Sequence, residues 1–368
     1  MKQRISDLLD GIMDDSVEME TRTPLSSRRI KELTMEKLTK KKGSRRVLQK
    51  MLLAAAITAV LTITALAAEE MGAGDWFRDI FANRGAEETE LEQQLSFIDS
   101  IGQVYQQSMT SEGTTITPIA GFGDENVFYL RLRLAGPEGT VLPDGAHYRF
   151  MGKYDQERWV VDNPEELSYE LTVLPDQNQK DNVKEFLIRV MALPDSGRKL
   201  NDGNALPLYI SGLYQEIVTD SGSNELRKVL SGDFTLDLAY YNHVEMTELD
   251  VNGLSYHRKE TGISIDLQGR EQEIPYEYTV TLSSMKISPI SISWTCRYEM
   301  SDPTWKAGLD FQIVMKDGSK VSMRCIGSGY DEDHHFAASM GAGIFDVPIE
   351  LGRVDYILIG GEHKVYLP

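Results

Sequence analysis

The sequence predicts a mainly β protein: one transmembrane helix followed by two antiparallel immunoglobulin-like β-sandwich domains, with a short helical cytoplasmic tail. An uncharged run of eighteen residues, Met51–Ala68, supports the helix. From about residue 100 the large apolar side chains alternate with a period of two, which is typical of half-buried strands. We therefore divide the chain into a tail, a span, a helical linker and two β domains, at residues 1–46, 47–68, 69–99, 100–240 and 241–368.

The tail contains one clear amphipathic helix. Its apolar residues follow helical spacing and form a single stripe: Ile5, Leu8, Leu9, Ile12 and Met13. Aspartates occupy the other faces, so anionic lipid is a poor match. A segment of this length cannot bury the stripe in a core of its own. We expect the stripe to contact a partner protein, and a loosely ordered tail is the alternative.

The uncharged run has the length and the flanking charges of a membrane span. A helix over Met51–Ala68 would be about 27 Å long, close to the hydrocarbon thickness of a bilayer. Six Lys and Arg lie between Lys40 and Lys50, whereas Glu69 and Glu70 follow the run. Because basic flanks stay in the cytoplasm, the tail is predicted inside and the rest outside. Ala65–Ala67 also fits a signal-peptidase site, so a cleaved secretory signal remains an alternative.

The charge is divided in the same way as the predicted topology. Residues 1–50 carry thirteen Lys and Arg against eight Asp and Glu, a net charge of +5. The whole chain carries −19, so the part beyond residue 50 holds −24. A strongly acidic external part disfavours nucleic acid and anionic lipid as its partners, because both would repel it.

The linker, residues 69–99, has two helical stretches. The first has large apolar side chains on one face: Trp76, Phe77, Ile80 and Phe81. The second carries a sparser stripe on an acidic background: Leu91, Leu95 and Ile98. Aromatic residues next to a span often lie at the membrane interface, but these could equally pack under the folded domain.

The clearest hairpin joins Thr114–Ile119 to Val127–Leu134 through a turn at Gly121–Asn126. In its second strand the apolar residues alternate with Tyr129, Arg131 and Arg133, so one face is predicted to be core and the other solvated. Asp317-Gly318 predicts a tight turn. The other predicted strands are Tyr169–Leu174, Phe186–Leu193, Leu208–Leu213, Phe234–Leu238, Ile263–Leu267, Tyr276–Leu282, Ile290–Tyr298, Leu309–Met315, Val321–Ile326 and Val354–Ile359.

The chain has two cysteines, Cys296 and Cys325. The period-two pattern places both on the buried faces of strands. A disulfide would form if the two strands pair, but we favour two buried free thiols, because core strands place cysteines inward for packing alone.

The sequence contains no common motif of an enzyme or a cofactor site. P-loop, Gly-x-Ser-x-Gly, His-Glu-x-x-His and EF-hand patterns are all missing. The densest polar cluster is Asp331–His335. Neighbouring residues of an extended chain point to opposite faces, so a solvated acidic loop is favoured there over a metal site. We therefore expect no enzymatic activity, no metal and no cofactor.

Four stretches together resemble single-pass membrane proteins of Gram-positive bacteria that share a domain of unknown function of the DUF4179 type. They are residues 45–68, the sequence Gly-Asp-Trp-Phe-Arg-Asp at 74–79, the hairpin at 114–134, and residues 345–351 with 354–358. Some of these proteins are labelled anti-sigma factors. The resemblance implies a partnership with an extracytoplasmic-function sigma factor and a second external β domain. The His-x-x-x-Cys-x-x-Cys signature of zinc-containing anti-sigma domains is missing, so that binding mode is not expected.

These observations lead to two hypotheses. In the first, the chain is a membrane signalling protein that holds a sigma factor through residues 1–45 and senses an unknown ligand outside. In the second, it is an adhesion or scaffold protein of the cell envelope, and its tail only orients insertion.

Overall fold

The computed structural model describes twelve ranges: residues 72–82, 88–105, 107–152, 160–161, 166–175, 181–200, 206–218, 224–238, 244–265, 271–300, 308–330 and 336–368. The tail stripe (Ile5, Leu8, Leu9, Ile12 and Met13), the predicted span at 47–68 and the cluster Asp331–His335 lie outside them. Within these ranges, no helix is long and apolar enough to cross a membrane.

The described ranges form a mainly β structure in which every strand pairing is antiparallel, so this part of the predicted fold class is confirmed. A 3-10 turn at Gly74–Phe77 leads into helix α1 (Arg78–Ala82), and helix α2 (Glu88–Ile101) precedes the first strand. The strands then fall into two groups, each with its own core.

The first group, the N-terminal β-region, contains eleven strands: β1 (Gln103–Val104), β2 (Met109–Ser111), β3 (Thr114–Gly123), β4 (Val127–Ala135), β5 (His147–Phe150), β6 (Leu167–Val173), β7 (Val183–Ala192), β8 (Leu206–Ile210), β9 (Leu213–Val218), β10 (Asn224–Leu230) and β11 (Phe234–Leu238). The large N-terminal sheet has the order β1-β3-β4-β7-β6, with β2 also paired to β3. The smaller sheets are β10-β9-β5 and β11-β8. One hydrophobic core draws side chains from all three sheets.

The second group, the C-terminal β-region, contains nine strands: β12 (Thr247–Glu248), β13 (Ser255–Ile265), β14 (Glu271–Ile287), β15 (Ser291–Met300), β16 (Phe311–Met315), β17 (Met323–Tyr330), β18 (Phe336–Phe345), β19 (Val354–Ile359) and β20 (His363–Val365). The large C-terminal sheet has the order β12-β14-β15-β18-β17, with β13 also paired to β14. The smaller sheet is β16-β19-β20, and the two sheets share a second core.

A bulge in β3 lets this strand place large apolar side chains on both faces of the large N-terminal sheet. The register shifts between Pro118 and Ala120, so Ile116 faces the core of the N-terminal β-region while Phe122 faces the opposite side. Proline has no amide hydrogen to donate, and strands tolerate it at such an irregularity. The bulge therefore directs the aromatic ring of Phe122 to the outer face of the sheet.

Most predicted strands are present, and several bounds differ. β11 and β19 have the predicted bounds, and the hairpin at 114–134 is confirmed, with β3 continuing to Gly123. Asp317-Gly318 does form a turn, in which Gly318 has a positive φ of 85°. The single strand predicted at Leu208–Leu213 is wrong: the chain leaves one sheet and enters another at Gly212, whose φ is 127°.

The prediction for Cys325 is wrong, and the one for Cys296 is confirmed. Both thiols are free, Cys296 is buried and Cys325 is exposed. Cys325 lies on β17, the edge strand of its sheet, where no further strand covers it. Cys296 pairs with Ser339 on one side of β18, and Cys325 pairs with Gly343 on the other side, so their strands are not neighbours. Adjacent strands are about 4.8 Å apart, and this arrangement is too wide for a disulfide.

The core of the C-terminal β-region depends on a close approach of Trp294 to Gly341. The two residues face each other on β15 and β18, and a Cβ atom at Gly341 would overlap the indole ring. Trp294 also packs edge-on against Phe311, with ring centroids 5.1 Å apart. Bulky side chains at position 341 are therefore excluded by a neighbour that is far away in sequence.

We predict that Gly341→Ala lowers the free energy of unfolding by about 1–3 kcal/mol, because the added methyl group forces the indole out of place. The measurement is chemical denaturation of the full-length chain. Gly308→Ala is the matched control, since a Cβ at Gly308 meets nothing within 4 Å, and its effect should stay within about 0.5 kcal/mol. Equal effects of the two substitutions would contradict the proposed contact.

Candidate functional site

The two helices and the two β-regions share a third cluster of buried side chains, the junction core. The helices supply Phe77, Phe81, Leu91, Leu95 and Ile98. The N-terminal β-region supplies the outer face of its large sheet, and the C-terminal β-region supplies Val244, Ile290, Ala342 and Ile344. The helices are therefore packed into the folded structure and share a core with residues of both β-regions.

Aromatic rings form the centre of the junction core. The ring of Phe77 meets Phe122 edge-on at 4.7 Å, and Phe122 stacks on Tyr129 at 4.9 Å with an angle of 10° between the ring planes. The guanidinium of Arg189 lies over the ring of Tyr129, 5.4 Å from its centroid. Such edge-on and stacked pairs add specific geometry to the area they bury. The position of the first helical turn is thus fixed against β3 and β4.

The prediction of a solvated outer face on β4 is wrong. Tyr129 is 3% exposed, and the side chain of Arg131 is only 13% exposed. The guanidinium of Arg131 donates to the Trp76 carbonyl and pairs with Asp79 at 2.8 Å. It also pairs with Glu185 on the neighbouring strand. Arg131 therefore ties the helical segment to the large N-terminal sheet by charge as well as by packing.

We predict that Arg131→Ala lowers the free energy of unfolding by about 1.5–3 kcal/mol, because two carboxylates and a carbonyl lose a charged partner. Arg227→Ala is the control: its guanidinium is exposed and donates a hydrogen bond to the neutral side chain of Gln215. That change should cost under about 0.5 kcal/mol. Denaturation midpoints of the two variants, compared with the parent chain, provide the test.

A buried hydrogen-bond network links the turn of the β3–β4 hairpin to the C-terminal β-region. Oδ2 of Asp124 accepts hydrogen bonds from the hydroxyls of Ser288 and Ser291. Its Oδ1 accepts from the backbone N–H groups of Asn126 and Val127, at 2.8 and 3.0 Å. The amide of Asn126 donates to the Ser291 hydroxyl at 2.8 Å. These bonds require a particular orientation of one β-region against the other.

The direction of each hydrogen bond in this network is determined by its neighbours. The Ser288 hydroxyl oxygen accepts from the backbone N–H groups of Ile290 and Ser291, so its own hydrogen is free to point at Asp124. Asp124 itself is fully buried and receives four donors. Burial raises the pKa of the Asp124 carboxyl, and the hydrogen bonds from the two serines and the two amides act in the opposite direction.

A raised pKa means that the folded chain retains this proton at a pH where the unfolded chain has lost it. The contribution of Asp124 to stability is then fully present below its ordinary pKa of about 3.9 and is lost as the pH rises through the higher folded value. We predict that the stability difference between the parent chain and Asp124→Asn shrinks as the pH is raised from 4 to 8. Denaturation midpoints across this range are the measurement, and a difference that grows with pH would contradict the direction of the shift.

An ion-pair cluster makes a second polar link between the β-regions. The guanidinium of Arg324 on β17 contacts both oxygens of Glu170 on β6, at 2.8 and 2.9 Å. Arg189 reaches the same carboxylate at 3.1 Å. Because the Arg324 side chain is 55% exposed, this pair contributes less to stability than its geometry suggests.

An open cavity of about 990 Å³, the α2 groove, lies between α2 and the C-terminal β-region. Its wall on α2 consists of residues at helical spacing: Glu92, Gln93, Ser96, Phe97 and Ser100. This stripe lies on the opposite side of the helix from the buried stripe Leu91, Leu95 and Ile98, so α2 has one face in the junction core and a second face in the groove. The opposite wall comes from the segments 319–322 and 346–351.

Gln94 lies between the two stripes of α2 and lines the groove. It is 7% exposed, and its Oε1 accepts no hydrogen bond within the described part of the chain. Buried amide oxygens are normally paired. An unpaired one beside an open groove marks a place where a donor from outside can bind.

The residues that the sequence predicted to be functional differ from those that the structure brings together. The tail stripe and Asp331–His335 are outside the described ranges. Within those ranges, no group of three or more His, Cys, Asp and Glu has the arrangement of a metal site. Asp124, Arg131 and the α2 groove were not selected by sequence reasoning. The turn signal at Gly121–Asn126 and the arginines of β4 were visible, but their partners lie more than fifty residues away.

Comparisons with known proteins give little. No family matches the sequence, and no curated protein matches it. Among solved structures, a conserved domain protein from Bacillus anthracis is similar over 70% of this chain and 76% of its own length, with 12% sequence identity and a TM-score of 0.43.

Proposed function

We propose that the chain is a single-pass membrane signalling protein of the DUF4179 type that regulates an extracytoplasmic-function sigma factor. Residues 1–46 are cytoplasmic and hold the sigma factor through Ile5, Leu8, Leu9, Ile12 and Met13. Residues 47–68 span the membrane. The part beyond the span is extracytoplasmic and binds an external ligand that is not nucleic acid. The charge difference between the two parts, +5 against −24, supports this topology.

In this proposal, residues 100–240 and 241–368 form two immunoglobulin-like β-sandwich domains. Support comes from the two separate cores, each shared between a large sheet and smaller sheets. Residues 69–99 then connect the span to the first sandwich.

The observation that carries the proposal is the packing of α1 and α2 in the junction core. These helices come soon after the proposed span, and their buried side chains belong to a core that also contains residues of both β-regions. A packed connection of this kind suits a protein that passes a signal inward, because a change in the β-regions alters the packing of the helices. A free tether of the same length would not transmit such a change.

The size of the signal is limited by binding energy. An external ligand shifts the equilibrium between a holding and a releasing state only by its difference in affinity for the two states. A tenfold difference corresponds to about 1.4 kcal/mol, and full switching requires about 5.5 kcal/mol. Contacts between α2 and a β-region can supply this difference in affinity, because they differ between two packings of the junction core.

We predict that Leu8→Asp abolishes co-purification of the sigma factor and raises transcription from promoters that this sigma factor uses. A charge in the centre of an apolar stripe cannot enter a groove on a partner. Asp10→Asn is the matched control, because Asp10 lies on a polar face of the helix that the sequence predicts, and it should leave both measurements unchanged. A reporter strain and a pull-down from membranes provide the readouts.

A truncated chain distinguishes between the two hypotheses that the sequence suggested. Normal repression in a strain that expresses only residues 46–368 would refute the regulatory role of the tail. The adhesion or scaffold hypothesis would then become the leading one.

A further inference from the structure

We propose that the α2 groove is a binding site for a short peptide with free termini. Binding of the peptide does not depend on the tail. Only the role of the peptide as the external signal rests on the function proposed above. Three properties of the groove lead to this ligand: its size, its unpaired polar atom and the two charges at its rim.

The dimensions of the groove fit a few residues of extended chain. A volume of about 990 Å³ lies at the upper end of the range for small-ligand sites. Along α2 the lining runs from Glu92 to Ser100, which spans roughly 12 Å at about 1.5 Å per residue. An extended peptide covers that length with about four residues at about 3.3 Å each.

The walls supply both kinds of contact that a peptide needs. Half-buried apolar side chains form the floor: Phe97, Val347, Ile349 and Leu351. They can pack against an apolar side chain of the ligand. The unpaired Oε1 of Gln94 is an acceptor, and a peptide backbone offers N–H donors at regular spacing.

The charges at the rim match the two ends of a short peptide. Lys320 and Glu350 are both exposed lining residues, and neither forms an ion pair within the described ranges. The other charged lining residues are already engaged: Glu92 pairs with Arg78, Arg353 pairs with Asp317, and Asp346 accepts a hydrogen bond from the Ser322 hydroxyl. One available cation and one available anion favour a zwitterion over a polyanion or a polycation.

The test uses the full-length chain in detergent and an equimolar random tetrapeptide library with free termini. Peptides retained with the protein after ultrafiltration are identified by mass spectrometry, and the most enriched one is titrated. We expect the same peptide, acetylated at its amino end and amidated at its carboxyl end, to bind at least about tenfold more weakly, which corresponds to about 1.4 kcal/mol. Equal binding of the blocked peptide would overturn the assignment of the rim charges.

Two substitutions locate the binding in the groove. Lys320→Ser removes the exposed cation, and Gln94→Met replaces the amide with a side chain of similar size, so each should weaken binding about tenfold. Lys259→Ser is the matched control on β13, away from the groove, and should bind like the parent chain. Hydrogen exchange of α2 should slow when the peptide is bound. No enriched peptide, or unchanged affinity in both groove variants, would overturn the proposal.

The failures of the two proposals can be distinguished. If the peptide binds as expected but does not alter the sigma-dependent reporter in the parent strain, the groove assignment stands and its signalling role fails. If Leu8→Asp releases the sigma factor but the library yields no peptide, the function stands and the groove assignment fails.

Discussion

The described structure depends on covering the outer face of the large N-terminal sheet. The bulge at Pro118–Ala120 turns Phe122 to that face, where it stacks on Tyr129. Two aromatic rings on one side of a sheet are a large apolar surface that must be removed from water. The helices provide the cover through Phe77 and Phe81, and Arg131 adds a charged link. The helical segment is therefore a structural part of the folded protein, and its position follows from the strands below it.

Apolar packing alone would leave the orientation of the two β-regions loosely specified, because burial of apolar surface has no preferred direction. The hydrogen bonds of Asp124 provide the direction. Each oxygen of the Asp124 carboxyl group has two donors, and the donors come from both β-regions. A small rotation at this contact would leave a buried carboxyl group with unfilled acceptor positions, which is costly. The network therefore favours one arrangement of the β-regions over its close alternatives.

The sequence predicted what depends on local periodicity and missed what depends on distant partners. The inward residues of β4 and β15 follow from period two, and they are buried. The arginines of β4 have the pattern of a solvated face, and only the presence of Asp79 and Glu185 changes that interpretation. β18 reads as Phe-Ala-Ala-Ser-Met-Gly-Ala-Gly-Ile-Phe, without alternation. At Gly341 the small residue is required because Trp294 on the neighbouring strand fills the space beside it. The α2 groove is formed by segments more than two hundred residues apart, so no local pattern could reveal it.

The two faces of α2 determine how a ligand in the groove would act. One face is fixed in the junction core by Leu91, Leu95 and Ile98, and the other faces the segments 319–322 and 346–351. A ligand that contacts both walls gains binding free energy only at one separation of the walls, so it stabilises that separation. The Asp124 network resists rotation of the β-regions, which leaves small shifts of the helices as the less costly response. A signal carried by this protein is therefore expected to be a change in helix packing next to the proposed span, with the two β-regions remaining in contact.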